Sequence, residues 1–200
     1  MVPFVNVNPL VIGSVDNSEE LFGGLAYELR DTKGTVLARV HEDLGESAGK
    51  RLVRAFARSM MNTRTLVVDS VDGERLLVLE EERTRTKSRT SVSTPSGDLI
   101  GTVTRTDRSA LQRRFTVHDA SRRKLASLGI NGFKTGWEGC TVQGADKRPV
   151  ARIAVAGRRN PTLKYFADFT VRQKVRLADP LPLLLRVAPM PLDFAETVDR

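Results

Sequence analysis

The feature that most constrains this chain is the run Leu177 to Ala195, LADPLPLLLRVAPMPLDFA, its most apolar stretch, lying almost at the C-terminus. Leu181, Leu183, Leu184, Leu185, Val187, Met190, Leu192 and Phe194 crowd it, and a segment apolar on every side is one that a folded protein buries. A membrane-crossing helix needs roughly 20 predominantly apolar residues. Here Arg186, Asp193 and the prolines Pro180, Pro182, Pro189 and Pro191 interrupt the run. Each interior proline deletes a backbone donor and clashes with the preceding turn, which rules out one long regular helix. The expectation is a short helical turn or two around Leu183 to Ala188, inside a plug spanning residues 178–195. The rest of the chain must then enclose that plug.

What precedes it has the rhythm of an enclosure. From Leu25 a unit recurs: an alternating run, a polar turn with Asp or Gly, and a second alternating run. AYELRDTKGTVLARV puts Tyr27 and Leu29 on one face, turns at Asp31 to Gly34, and returns with Val36, Ala38 and Val40. TLVVDSVDGERLLVLEEE turns at Asp72 and Gly73, SRTSVSTPSGDLIGTVTR at Pro95 to Asp98, RRFTVHDASRRKLASLGI at Asp119 to Arg123, and GCTVQGADKRPVARIAV at Gly144 to Lys147. Period-two alternation broken by residues that accept positive φ is the mark of β-hairpins. A sixth, less regular pair would use Leu163 to Phe169 and Val171 to Leu177. Such a series predicts an all-β barrel or sandwich, one domain over residues 25–200. Residues 1–24 read as an arm or edge strand, because Phe4 to Ile12 alternates only loosely between Pro3, Asn6, Asn8 and Pro9. One segment, residues 45–62, breaks the pattern. Leu52, Val53, Phe56 and Met60 recur at helical spacing opposite Lys50, Arg51, Arg54 and Arg58, which suits an amphipathic helix or long connection, packed on the barrel or lying on a membrane surface.

Chemistry is harder to find. A thiolate nucleophile needs a base, and Cys140, the one cysteine, has only His41 and His118 to draw on. No catalytic signature surrounds it, and at an inward strand position it reads as a small core residue. The two histidines are far apart and Glu80, Glu81 and Glu82 run consecutively, so no metal cage is expected and the glutamates read as a solvated strand end. No phosphate-cradling glycine loop appears. The sequence therefore points to no enzyme, no cofactor and no metal.

The charge says more. Net charge is +8 and the isoelectric point about 10.1, a field that attracts acidic partners. The basic residues gather at hairpin ends: Arg83, Arg85, Lys87 and Arg89; Arg105, Arg108, Arg113 and Arg114; Arg122, Arg123 and Lys124; Arg158, Arg159 and Lys164. Gathered on one rim they would form an anionic-ligand site, since arginine meets phosphate oxygens bidentately. Scattered, they serve only as a solvated surface. A nucleic-acid partner is less favoured, because base stacking needs exposed aromatics and Trp137 and Phe115 read as inward. A protein partner is the remaining class. The N-terminus lacks the basic start and long apolar core of a secretory signal, and one cysteine suits a reducing compartment. A cytoplasmic protein, peripheral at a membrane, is the expectation.

RTLVVDSVDGERLLVL (Arg64 to Leu79), KSRTSVSTPSGDLIGTV (Lys87 to Val103), RRFTVHDASRRKLASL (Arg113 to Leu128), the Trp137 to Ile153 unit and DPLPLLLR (Asp179 to Arg186) together resemble the LURP-one-related and phospholipid-scramblase family. That family's fold is similar to the C-terminal domain of tubby proteins. The resemblance implies about twelve antiparallel strands closed around a central C-terminal helix. It also implies a basic rim that holds anionic phospholipid headgroups, as tubby domains do. Pro189 and Pro191 depart from the family's continuous helix, which predicts a shorter one with an extended tail over Leu192 to Arg200. The proline-rich arm, palmitoylated cysteine cluster and acidic calcium stretch of animal scramblases have no counterpart here. One cysteine cannot supply a two-signal lipid anchor. Binding of lipid, rather than its transport, is the function the resemblance leaves.

Overall fold

The computed structural model describes residues 2–15, 26–43, 63–83, 88–105, 112–131, 139–158 and 167–191. Twelve antiparallel strands close into a barrel: β1 (Leu10–Ser14), β2 (Ala26–Arg30), β3 (Val36–Glu42), β4 (Thr63–Ser70), β5 (Arg75–Arg83), β6 (Ser88–Ser93), β7 (Leu99–Arg105), β8 (Gln112–Asp119), β9 (Lys124–Asn131), β10 (Gly139–Gly144), β11 (Pro149–Arg158) and β12 (Ala167–Gln173). Each strand pairs with its sequence neighbours, and β1 joins β12 to β2. Among the described strands closure leaves no open sheet edge. The expected edge strand is therefore a central one, set by Leu10↔Val171 on one side and Ile12↔Leu29 on the other.

The same turn closes five hairpins. In each, the fourth residue donates its backbone N–H to the carbonyl of the first: Gly34 to Asp31, Gly73 to Ser70, Gly97 to Thr94, Arg122 to Asp119 and Lys147 to Gly144, at 3.0–3.2 Å. That fourth residue adopts left-handed backbone, with φ of 88°, 85°, 93°, 66° and 64° in chain order. Glycine takes this conformation freely, whereas a side chain brings Cβ against the following carbonyl at roughly 1–2 kcal/mol. All five turns lie at one mouth of the barrel, called the turn mouth below, because hairpins that follow one another around a ring point the same way. The start of β1 and the end of β12 share the turn mouth, and the other strand ends form the opposite mouth.

Inward faces follow the alternation read from the sequence: Tyr27 and Leu29, Ala38 and Val40, Phe115 and Val117, Cys140 and Val142 are all buried. The sixth pair does not turn. Phe169 and Val171 point inward from a single strand, β12, with Thr170 between them paired to both β1 and β11. No Gly, Pro or Asn at Thr170 reverses the chain there. Beyond Gln173 the chain leads into α1 (Leu181–Val187), buried along its whole length. It starts two residues before the expected point because Pro182 sits in the first turn, where a missing N–H costs nothing. Pro189 to Pro191 remain helical and buried; the tail from Leu192 lies outside the described residues.

The plug crosses the barrel from mouth to mouth. Leu184 lies on β7 at Gly101, where an added Cβ would come within 2.7 Å of Leu184 Cδ1. At the far end Arg64, near the start of β4, donates from Nη2 to the Met190 carbonyl at 3.5 Å, while its Nε holds Glu81 Oε2 at 2.6 Å. This pair corrects the reading of the glutamate run. Glu80 and Glu82 are exposed, but Glu81 points inward opposite Arg64, since successive strand residues face opposite ways. Phe4, in the turns before β1, is buried in the same core.

Candidate anion-binding rim

The structure divides the expected basic residues between the two mouths. Arg122, Arg123 and Lys124 stand exposed at the turn mouth, in the β8–β9 turn and at the start of β9. Arg105 ends β7 and Arg114 is near the start of β8, so both belong to the opposite mouth. Arg113 and Arg158 join that mouth through their backbones, paired with Ile130 and Ala167. Arg108, Arg159 and Lys164 lie outside the described residues, as do Arg85 and Lys87 and the whole amphipathic segment 45–62.

What gathers around Arg122 at the turn mouth is a set only partly foreseen. The next hairpin along the ring turns through Lys147 and Arg148, and beyond it the single strand β12 leads into Lys174 and Arg176, all exposed. Contact between these elements is direct. Gly144 pairs with Ala126 on β9, and Lys174 donates its N–H to Val150 on β11 at 2.9 Å. Five neighbouring strands, β8 to β12, thus carry basic side chains at their ends over an arc of about 20 Å, taking roughly 4.8 Å per strand. On the outer wall below, Arg152 and Arg172 are both exposed and directly opposite each other across β11 and β12. Like charges at that position repel.

The acids of the two arc hairpins, Asp119 and Asp146, are committed to their own turns. Ser121 Oγ donates to Asp119 Oδ1 at 2.7 Å and Arg123 Nε holds Oδ2 at 3.0 Å. The serine bond first, then the Arg123 groups, keep this carboxyl below the usual Asp range. Asp146 accepts from the Arg148 N–H at 3.0 Å. Both acids shape turns and leave Arg122 and Lys147 projecting. Across the ring the same mouth carries Asp72 and Glu74 after β4, and Asp98, before β7, borders the arc. The rim is polarised.

Two of these positions carry a conformational argument. Where three hairpins place glycine at the left-handed turn residue, the two adjacent hairpins of the arc place Arg122 and Lys147. The signal was present in the sequence, as a basic residue in the fourth position of a repeated turn. Arg172, Lys174 and Arg176 could not be found that way, because only the pairing of β11 with β12 brings them beside Lys147.

Cys140 and the two histidines lie on opposite faces of the barrel wall. Cys140 faces the core, where burial pushes its thiol up to about 12. His118 follows inward-facing Val117 and so looks outward, and His41 lies exposed on β3, 3.7 Å from Asp69. Among the described residues no three His, Cys, Asp or Glu side chains gather as metal ligands, and no helix is long and apolar enough to cross a membrane.

No family model matches the sequence, and no curated protein does. Among solved structures, the X-ray structure of an Arabidopsis thaliana protein is similar over 96% of this chain and 98% of its own, at 19% identity and a TM-score of 0.47.

Proposed function

We propose that this chain is a non-enzymatic, LURP-one-related and scramblase-like barrel that binds anionic phospholipid headgroups through the basic arc of its turn mouth. The carrying observation is the pair Arg122 and Lys147, held in left-handed backbone where the other three hairpins use glycine. Strain kept at a basic position favours a role for the side chain rather than for the fold. The opposed Arg152 and Arg172 support the same reading, since a phosphate between two guanidinium groups turns their repulsion into attraction. Closure around a C-terminal helix agrees with the order of hairpins and DPLP turn that carries the family resemblance. Nucleic acid is the weaker ligand: the four described aromatics, Phe4, Tyr27, Phe115 and Phe169, are all buried and offer no stacking surface.

Cosedimentation with phosphatidylcholine vesicles, with and without phosphatidylserine, tests this reading. Binding should require the anionic lipid and fade with salt, as the Debye length falls from about 10 Å at 0.1 M to about 3 Å at 1 M. The double variant Arg122→Gly, Lys147→Gly should lose most of the binding, at about 1 kcal/mol per cation. It should also unfold at higher urea, because glycine relieves about 1 kcal/mol of backbone strain at each turn. Loss of binding in a more stable protein cannot be laid to misfolding. Equal binding to neutral vesicles, or unchanged binding by the double variant, would remove the arc as the site.

A further inference from the structure

Three large apolar side chains are exposed among the described residues, Val71 at 49%, Leu99 at 38% and Val175 at 50%, and all three stand at the turn mouth. Their electrical settings differ. Val175 lies between Lys174 and Arg176, just past the end of β12, in the basic arc. Val71 opens the β4–β5 turn and is followed by Asp72 and Glu74. That turn lies five to six strand positions around the twelve-strand ring from β10, nearly across the mouth from the arc's centre. Leu99 sits at the border, next to Asp98 but on the strand that pairs with β8.

An exposed apolar side chain flanked by two cations is what the boundary of an anionic bilayer accommodates: the cations meet phosphates while the apolar group enters the zone beneath them. A soluble polyanion makes no use of the valine. An anionic surface attracts one side of this mouth and repels the other, and the two are separated by more than the roughly 8 Å over which charge acts at physiological salt. We infer that the barrel docks obliquely on an anionic bilayer, turn mouth first and tilted towards β8 to β12. Val175 is then inserted among the headgroups and Val71 held in water. This rests on the lipid reading above and adds the source of the phosphate and the orientation of the bound barrel.

The two valines are equally exposed, so each serves as the other's control. Val175→Cys and Val71→Cys, each carrying an environment-sensitive fluorophore, can be made in the natural chain because Cys140 is buried and its thiol pushed up to about 12. With phosphatidylcholine–phosphatidylserine vesicles, the label at 175 should shift to the blue and be quenched by brominated acyl chains, while the label at 71 stays as in buffer. Correspondingly, Val175→Asp should weaken cosedimentation about tenfold, the value of withdrawing one valine from an apolar contact, and Val71→Asp should not. Circular dichroism melts of both variants should match the parent. Equal responses at the two positions, or a response at 71 alone, with cosedimentation intact, would overturn the orientation and leave the lipid reading standing. No cosedimentation of the unaltered protein would overturn both. Soluble heparin that binds the protein and abolishes cosedimentation, with the 175 label unmoved by vesicles, would assign the arc to a soluble anion and overturn the proposal.

Discussion

Arg186 shows how a single residue can run against the fold that contains it. It is completely buried inside the barrel, where Nη1 donates to the Val171 carbonyl at 2.9 Å while Nε and Nη2 find no hydrogen-bond partner among the described residues. Burial disfavours the charged form and pulls its pKa from the ordinary arginine value down to about 10. Between those two values the folded state binds fewer protons than the unfolded one, so stability rises with pH across that window. Below about pH 10 the penalty for the buried charge is fully present. Arg186→Met keeps most of the volume and removes the charge. The variant should be at least as stable as the parent near pH 7, and its advantage should shrink as pH rises through about 10, measured as the difference in urea midpoints. Groups that titrate in both proteins cancel in that difference. A variant clearly less stable at neutral pH would mean that the guanidinium is needed where it lies.

At the scale of elements, the plug is what the barrel is built around. The seven residues of α1 are too few for a helix to be stable alone; it is held by the strands that surround it. Leu184 is fully buried against β7 at Gly101, where an added Cβ would strike it. Leu184→Ala should cost about 2–5 kcal/mol, the range for a leucine removed from a core that cannot collapse on the gap. Gly101→Ala should also destabilise, by overpacking. Removing Asp179 to Arg200 takes out the whole plug. Because domains commonly have only about 5–15 kcal/mol in hand, the truncated chain should lose its cooperative melt. An unchanged cooperative transition after truncation would show that the strands carry their own core. The apolar run and its prolines made the plug legible beforehand, but the Arg64–Glu81 pair that meets it at Met190 was hidden, since a run of three glutamates reads as solvated until one of them is seen to face inward.

For the molecule as a whole, closure is the decisive event. It depends on β1, and β1 is tied in at long range: Asn8 Nδ2 donates to the Gln173 carbonyl at 3.1 Å, and Asn8 Oδ1 accepts from the Gln173 N–H at 2.9 Å. Deleting residues 1–14 would leave β2 and β12 as facing open edges and withdraw Phe4, Leu10 and Ile12 from the core. Such edges are templates for pairing between chains. The shortened protein should form β-rich oligomers on size-exclusion chromatography; a monomer of unchanged melting temperature would show that closure contributes little. Closure also polarises the rim, because it places the basic ends of β8 to β12 together and the acidic β4–β5 turn across from them.

What the sequence determined by itself is everything that acts over a short stretch of chain. Alternation fixes which face of each strand is buried, Asp and Gly at set spacing make the turns, and an apolar run interrupted by prolines is a plug and cannot be a membrane span. Those effects are local, so they can be read in windows of about a dozen residues. Only the tertiary structure decided which hairpin ends are neighbours. Each strand runs from one mouth to the other, so Arg114 near the start of β8 and Arg122 in the turn after it, close in sequence, end up at opposite ends of the barrel. Lys147 and Lys174, far apart in sequence, stand side by side because Lys174 is bonded to Val150 across two paired strands. Adjacency in a closed sheet is set by long-range hydrogen bonding, and no local window contains both partners of such a bond.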